Sequence, residues 1–311
     1  MSPSPSYEKL VLVTRKTRLQ QLVERFNSRG QARFYIEHAG GDFSDYAAED
    51  DAYTRSLDGL HRALDLGLRV QTLERAIVPT FLFAPTDLVV AVGQDGLVAN
   101  VAKYAGAQPI VAVNPDPARF DGVLLPFQPA QARAAVSRML DGSARVREVT
   151  LAVARLADGQ RLLAFNDLYI GARTHVSARY SIRLGDGNET QSSSGVLVST
   201  GAGSTGWLSS VFNMAAGVAA FTGGTAGTPP QLAWEDPRLL FVVREPFASK
   251  QSTIRLVAGT IGPGQALTIE SHMPTGGVIF SDGVEADALG FDAGAIVTIA
   301  AAEQRTRLVV G

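Results

Sequence analysis

VVAVGQDGLVANV, Val89 to Val101, runs from apolar β-branched residues through a glycine-bearing turn into residues that suit a helix. Leu88 to Val92 is unbroken in apolar residues, as in a strand covered on both faces. The turn Gly93 to Gly96 follows, then an expected helix from Leu97 to Tyr104 and an apolar strand from Pro109 to Val113. Strand, helix and strand at this spacing form a βαβ unit, which implies a parallel, doubly wound sheet. Upstream, Leu10 to Val13 reads as a strand, Leu19 to Phe26 as a helix and Arg33 to Glu37 as β-like. Tyr46 to Leu66 reads as a long amphipathic helix, with Tyr53, Leu57, Leu60 and Leu64 on one stripe. Gln128 to Leu140 is a further helix, closed by Asp141 and Gly142.

Beyond that point the pattern changes. Short strand-like runs at Val146–Leu156, Arg161–Phe165, His175–Leu184, Val196–Thr200, Leu239–Val243, Thr253–Ala258 and Ala266–Glu270 alternate with Asp-Gly, Gly-Asp-Gly and Gly-Pro-Gly turns. One apolar helix, from Ser204 towards Phe221, interrupts them, and the Gly- and Thr-rich stretch 222–230 reads as a flexible loop. The expected fold class is α/β plus all-β. A doubly wound α/β domain spans 1–143, and a β-rich, sandwich-like domain spans 144–311, its C-terminal end packing back on the first.

The composition is globular, and a net charge of -2 leaves no electrostatic footprint for nucleic acid. The absence of cysteine excludes a disulfide framework, a thiolate metal site and a cysteine nucleophile. His38, His61, His175 and His272 show no metal-ligand spacing, so each reads as structural or exposed. The run Glu49-Asp50-Asp51 reads as a solvated helix face. MSPSPSYEKL at the N-terminus has neither the apolar stretch of a signal peptide nor the arginines of a transit peptide. No run approaches the ~20 apolar residues of a membrane span. These features lead to the expectation of a cytoplasmic protein with no nucleic-acid or membrane partner.

A glycine turn at the carboxyl end of a buried strand lies where ligands bind in open α/β sheets, and its backbone can approach phosphate oxygens closely. Asp95 repels a phosphate, so it makes sense as a base for an attacking hydroxyl or as a partner for Mg²⁺. The turn is neither a Walker A loop nor a dinucleotide fingerprint, so backbone amides are expected to hold the phosphates. A second turn stands in SSGVLVSTGAGSTGW, Ser193 to Trp207. There Ser204 and Thr205 offer hydroxyls at a helix start, and Trp207 offers an aromatic face. Between the two lies Phe165-Asn166-Asp167, an amide and a carboxylate side by side after an apolar run.

These three elements, in this order, resemble the GGDGT loop, the Asn-Glu pair and the T-G-x-G-S/T-x-aromatic loop of the NAD kinases. The resemblance extends through QPIVAVNPDPARFDGVLLPF (Gln108–Phe127), FNDLYIGARTHVSARYSI, LLFVVREPF (Leu239–Phe247) and FSDGVEADALGFDAGAIV, covering the chain from about Asp87 onward. Asn114 to Pro117 and Arg244 to Pro246 are similar to the mitochondrial-type branch. The resemblance implies transfer of the ATP γ-phosphoryl group to the 2′-hydroxyl of the adenosine ribose of NAD, with Mg²⁺ accompanying ATP. It implies that Asp95 deprotonates that hydroxyl and that Gly93, Gln94, Gly96 and Asn114 lie at the ATP phosphates. Asn166, Asp167, Ser194, Thr205, Gly206, Trp207 and Ser210 fall at the NAD positions, and a homodimer or homotetramer is the implied assembly. Gln94 replaces the second glycine of the loop, Leu97 its threonine, and Asp167 the glutamate; Ser194 stands where common bacterial NAD kinases carry aspartate. Two alternatives stay open beside this one: a kinase of the same fold acting on a sugar or nucleoside hydroxyl, and a protein that binds or senses NAD with little catalysis.

Overall fold

The computed structural model describes residues 7–311, so the first six residues of the N-terminal stretch lie outside it. The chain divides into two compact units: the residues up to Arg147 together with Arg307–Gly311, and Glu148–Thr306. Among the described residues no helix is long and apolar enough to cross a membrane.

The first unit runs β1 (Lys9–Thr14), α1 (Arg18–Phe26), α2 (Arg29–His38), α3 (Phe43–Ala63), β2 (Arg69–Glu74), β3 (Asp87–Val92), α4 (Asp95–Tyr104), β4 (Pro109–Val113) and α5 (Pro129–Leu140). Its strands are parallel in the order β2-β1-β3-β4, with β1 paired to both β2 and β3. Leu10, Leu12, Leu88, Val90, Val92, Val111 and Val113 form one buried face with Tyr53, Leu60 and Leu64 of α3 and Ala132, Ala135, Val136 and Met139 of α5. The alternate residues Val11, Val13, Val89, Ala91, Ile110 and Ala112 are equally buried. The helix α4, which adds no side chain to the first face, packs against β3 and β4. This is the doubly wound sheet expected from the β-branched runs. The chain leaves β1 towards β2 on one side and then resumes with β3 on the other, so the topology reverses between β1 and β3.

Two readings of this region are corrected. Arg33 to Glu37 is not β-like but lies in α2, because Ser28 accepts the Gln31 N–H at 3.1 Å as an N-cap and Ala32 and Ile36 bury one helical stripe. Glu49 does not face solvent: it is only 2 % exposed, paired with Arg15 at 2.9 Å and with Arg18 at 2.5 Å. Only Asp51 of that acidic run is exposed.

The chain continues with β5 (Arg145–Leu156), β6 (Arg161–Ala164), β7 (Asp167–Ala172), β8 (Ala178–Leu184), β9 (Gly187–Ser193), β10 (Val196–Ser199), α6 (Trp207–Phe221), β11 (Leu239–Val243), β12 (Ala258–Ile261), β13 (Leu267–Ser271), β14 (Gly277–Ser281), β15 (Val284–Gly290) and β16 (Ile296–Val310), all in the second unit except the first residues of β5 and the last of β16. One antiparallel sheet has the order β12-β11-β10-β7-β14-β15, and β16, β13, β8 and β9 are neighbours in another. Inward side chains from both sheets, including Leu168, Ile170, Tyr180, Ile182, Val198, Phe241, Ile269 and Val297, make one core, which is the sandwich. Thr253 to Val257 is not a strand: the Glu189 carboxylate accepts from Thr253 Oγ1 and from the Arg255 and Leu256 N–H groups, and this segment forms a loop around it. The helix α6 starts at Trp207 rather than Ser204, which lies in a short 3-10 turn from Ala202 to Thr205 and turns its hydroxyl back onto the Gly201 carbonyl at 2.7 Å.

Candidate functional site

In the first unit the candidate residues gather at the carboxyl ends of β1, β3 and β4. Gly93 follows β3 directly, and a Cβ there would meet Leu97 Cδ2 at 2.8 Å. Leu97 is buried, so the position occupied by threonine in the resembling loop serves the core here. Gln94 is exposed, and its side chain makes no hydrogen bond as the N-cap of α4. Asp95 is the first residue of that helix and half-buried. Its Oδ1 accepts the Leu124 N–H at 2.6 Å, while its other oxygen has no partner among the described residues. The first N–H groups of a helix have no intrahelical acceptor. Those of Leu97 and Val98 reach the Gln94 carbonyl, whereas those of Asp95 and Gly96 find none among the described residues.

Asn114 is buried and committed to its own loop. Its Nδ2 donates to the Phe120 carbonyl at 2.9 Å and its Oδ1 accepts the Asp116 N–H at 3.1 Å. Tyr53 ties two strand ends together, donating to the Val92 carbonyl at 3.0 Å and accepting the Arg15 N–H at 2.9 Å. Burial pushes the Glu49 carboxyl up, but hydrogen bonds from Arg18 and Arg15 outweigh it and hold the group below the usual carboxylate range.

In the second unit, Asn166 and Asp167 are fixed through their backbone. The Asp282 carboxylate accepts N–H groups from Phe165 at 2.9 Å, Asn166 at 2.6 Å and Asp167 at 3.2 Å, and the Asp282 N–H donates to the Asp167 carbonyl at 3.0 Å. On the other side the T-G-A-G turn clasps the same residue: Thr200 N–H donates to the Asn166 carbonyl at 2.9 Å. A Cβ on Gly203 would lie 2.1 Å from that carbonyl oxygen, and one on Gly201 would lie 2.0 Å from the Ala233 oxygen. These two glycines therefore exist for close backbone packing. Both side chains of the pair are left without a hydrogen bond among the described residues. The Asp167 carboxyl, 7 % exposed, is pushed up to about 7 by burial and then by the neighbouring Asp282 charge.

Ser194 and Trp207 come together in a cavity of about 440 Å³, of a size that suits a small-molecule ring system. Tyr169, Trp207 and Phe280 present near-parallel rings there: Tyr169 lies 5.8 Å from Trp207 at 14° and 4.8 Å from Phe280 at 29°. The Arg244 guanidinium lies over Trp207 at 5.2 Å. Tyr169 is locked by donating to the Ala172 and Ser194 carbonyls, both at 3.1 Å, and packs so close to Gly171 and Gly195 that neither admits a Cβ. Exposed His175 and Arg173 and the acid Glu285 complete the polar rim. Ser210 lies instead in an adjoining recess of about 160 Å³ that shares Trp207 and Arg244. Thr205 and Gly206 are exposed just before α6. Tyr169, Phe280, Arg244 and Asp282 had no role in the sequence reading, although Arg-Glu-Pro and Phe-Ser-Asp-Gly stood out as segments.

No family model and no curated protein matches the chain. Among solved structures it is similar to yeast NADH kinase complexed with NADH, with a TM-score of 0.61 and 16% identity over 99% of this chain and 84% of that one. It is also similar to an NAD kinase from Archaeoglobus fulgidus in complex with ATP, with a TM-score of 0.55 and 16% identity over 96% of this chain and 92% of that one. At this identity the likeness is one of fold, and the fold of the chain is that of the NAD kinases.

Proposed function

We propose that the protein is a phosphotransferase of the NAD kinase type, moving the ATP γ-phosphoryl group to the 2′-hydroxyl of the adenosine ribose of NAD to give NADP and ADP. The observation that carries this reading is Asp95: a carboxylate at the mouth of a glycine turn, anchored through one oxygen by the Leu124 N–H, with the other unpartnered among the described residues. The anchored oxygen fixes the group, and the second accepts the proton of the attacking hydroxyl. On the second unit, the Asn166 amide and the Asp167 carboxyl, both without a hydrogen bond among the described residues, bind the adenosine part of the dinucleotide, and the Tyr169–Trp207–Phe280 cavity takes one of its rings. Among the described residues no group of three or more His, Cys, Asp or Glu could hold a metal. Magnesium needs only one or two carboxylates beside substrate phosphates, so the metal would be held largely by the phosphates of the nucleotide it arrives with. Magnesium bound with the nucleotide neutralises phosphate charge; positioning supplies most of the remaining acceleration. The active species is proposed to be a homodimer or homotetramer.

The test is incubation with Mg-ATP and NAD, reading NADP with an NADP-specific dehydrogenase. NADP is expected to form, and Asp95→Asn is expected to lower kcat by about 10²–10⁴-fold, the usual contribution of a general base. A chain that binds NAD yet makes no NADP overturns the reading.

A further inference from the structure

We propose that Arg15 is a polyphosphate-binding residue of the first unit, its guanidinium supplying the positive charge that the Gly93–Gly96 turn lacks. This rests on the reading of that turn as the nucleotide-donor site. The ligand class is a nucleoside triphosphate, recognised through its phosphate chain.

Arg15 immediately follows β1, and Gly93 immediately follows β3. The sheet topology reverses between those two strands, and ligands of open α/β sheets bind outside the carboxyl ends at such a point. The side chain is only 9 % exposed, and its Cδ lies 3.6 Å from where a Gly93 Cβ would stand. The absent Cβ lets the arginine stem lie against the turn. Its guanidinium carbon lies over the Tyr53 ring at 5.1 Å and over the Phe120 ring at 5.6 Å from the centroids. One terminal nitrogen donates to the Lys16 carbonyl at 3.1 Å and the other to Glu49 at 2.9 Å. The Nε is buried with no hydrogen-bond partner among the described residues. Orphaned buried donors are rare in native proteins and commonly mark an absent ion or water. Nε and its neighbouring terminal nitrogen form the fork that matches two oxygens of a phosphate.

The local charge balance supports an anion. Glu49 is divided between Arg15 and Arg18, and Arg18 has a second carboxylate in Asp45 at 2.8 Å, which leaves Arg15 the less neutralised of the two. The two acceptor-less N–H groups at the start of α4 add the partial positive charge of a helix N-terminus. No lysine directly follows the glycines of the turn, Leu97 is buried and has no hydroxyl, and Arg15 is a cation placed against that turn.

The experiment is calorimetric titration of the full chain with inorganic tripolyphosphate and with Mg-ATP, alongside NAD. Arg15→Gln is expected to weaken both phosphate ligands by roughly 10–100-fold, the worth of a charged hydrogen bond, and to leave NAD affinity unchanged. Arg15→Lys should fall between, keeping the charge and losing the fork. Glu49→Gln should tighten tripolyphosphate by removing the competing carboxylate. Unchanged phosphate affinity in Arg15→Lys and Arg15→Gln overturns the role of Arg15 while the donor site stands. Should Arg15→Gln not fold, Arg15→Lys and Glu49→Gln decide, and wild-type affinity in both overturns the proposal. A wild-type chain that binds NAD but neither phosphate ligand removes the donor site itself, and Arg15 falls with it.

Discussion

Asp282 holds Asn166 by a 2.6 Å hydrogen bond from backbone N–H to carboxylate, across 116 residues of sequence. The same carboxylate takes the N–H groups of Phe165 and Asp167, so the backbone of the amide–carboxylate pair is set by the residue that follows the neighbouring strand β14. Asp282 itself sits at φ 54°, a left-handed conformation that asparagine also tolerates. Asp282→Asn therefore keeps the backbone and loses charge and one acceptor. It is expected to cost about 1–3 kcal/mol in urea unfolding and to weaken NAD binding. An Asn variant with wild-type NAD affinity would show that the pair needs no such anchor.

Asp167 ties stability to pH. Its folded-state carboxyl titrates at about 7 against an ordinary value of 3.8, so the folded state binds the proton more tightly than the unfolded. Its contribution is fully present below about pH 4 and is lost as pH rises to about 7, by at most ~4 kcal/mol. Unfolding in urea at pH 5 and pH 8 should show the wild type losing stability over that interval, and Asp167→Asn losing distinctly less. NAD binding should run the other way, rising through pH 7 as the carboxyl ionises into a full acceptor for ribose hydroxyls. Parallel pH profiles for wild type and variant would remove Asp167 as their source.

The glycines of the two turns are expected to respond oppositely to a methyl group. Gly201→Ala and Gly203→Ala would each press a Cβ to about 2 Å from a backbone carbonyl oxygen, so backbone must move. A loss of about 2 kcal/mol or more in unfolding free energy is expected for each. At Gly96 a Cβ meets nothing within 4 Å, and the residue lies in the first turn of α4. Gly96→Ala should raise stability by about 0.5–1 kcal/mol. The same methyl is expected to weaken Mg-ATP binding, because it projects into open space beside the unaccepted N–H groups. A variant both more stable and fully able to bind Mg-ATP would take the phosphates away from Gly96.

Local pattern explains what the sequence made legible. The β-branched runs at β1, β3 and β4 and the spacing of Tyr53, Leu60 and Leu64 reach the eye directly, because each is a periodicity within one element. The glycine turn after β3 and the loop before Trp207 were legible for the same reason. Arg33–Glu37 was misread because Phe34, Tyr35 and Ile36 look β-like in isolation, while the capping Ser28 and the buried stripe of Ala32 and Ile36 make it a helix. Glu49 was misread because its partners, Arg15 and Arg18, lie more than thirty residues away. Asp282, Phe280 and Arg244 escaped for that reason too: their roles exist only once β7, β11 and β14 lie in one sheet. The Gly201 and Gly203 positions were noticed, but spacing cannot tell a glycine that admits a ligand from one that admits a carbonyl oxygen.

Trp207 offers the most direct test of the proposed dinucleotide binding. It is half-buried, near-parallel to Tyr169 and covered by the Arg244 guanidinium, so a ring entering the cavity alters both its stacking and its cation–π contact. The chain has two tryptophans, Trp207 and Trp234, so a Trp234→Phe variant makes fluorescence a report from Trp207 alone. NAD is expected to quench that emission in a saturable way, and tripolyphosphate to leave it unchanged. Trp207→Leu should weaken NAD by about 10–100-fold, in line with the ~1–3 kcal/mol that a stacked base gains on an aromatic side chain. Polyphosphate binding should survive the change, since the turn proposed to hold it belongs to the other unit. Arg244→Met separates the two contributions to the cavity: the methionine stem still covers Trp207 but carries no charge. Loss of NAD affinity in Trp207→Leu with retention in Arg244→Met would assign binding to ring stacking. Equal loss in both would assign it to the guanidinium.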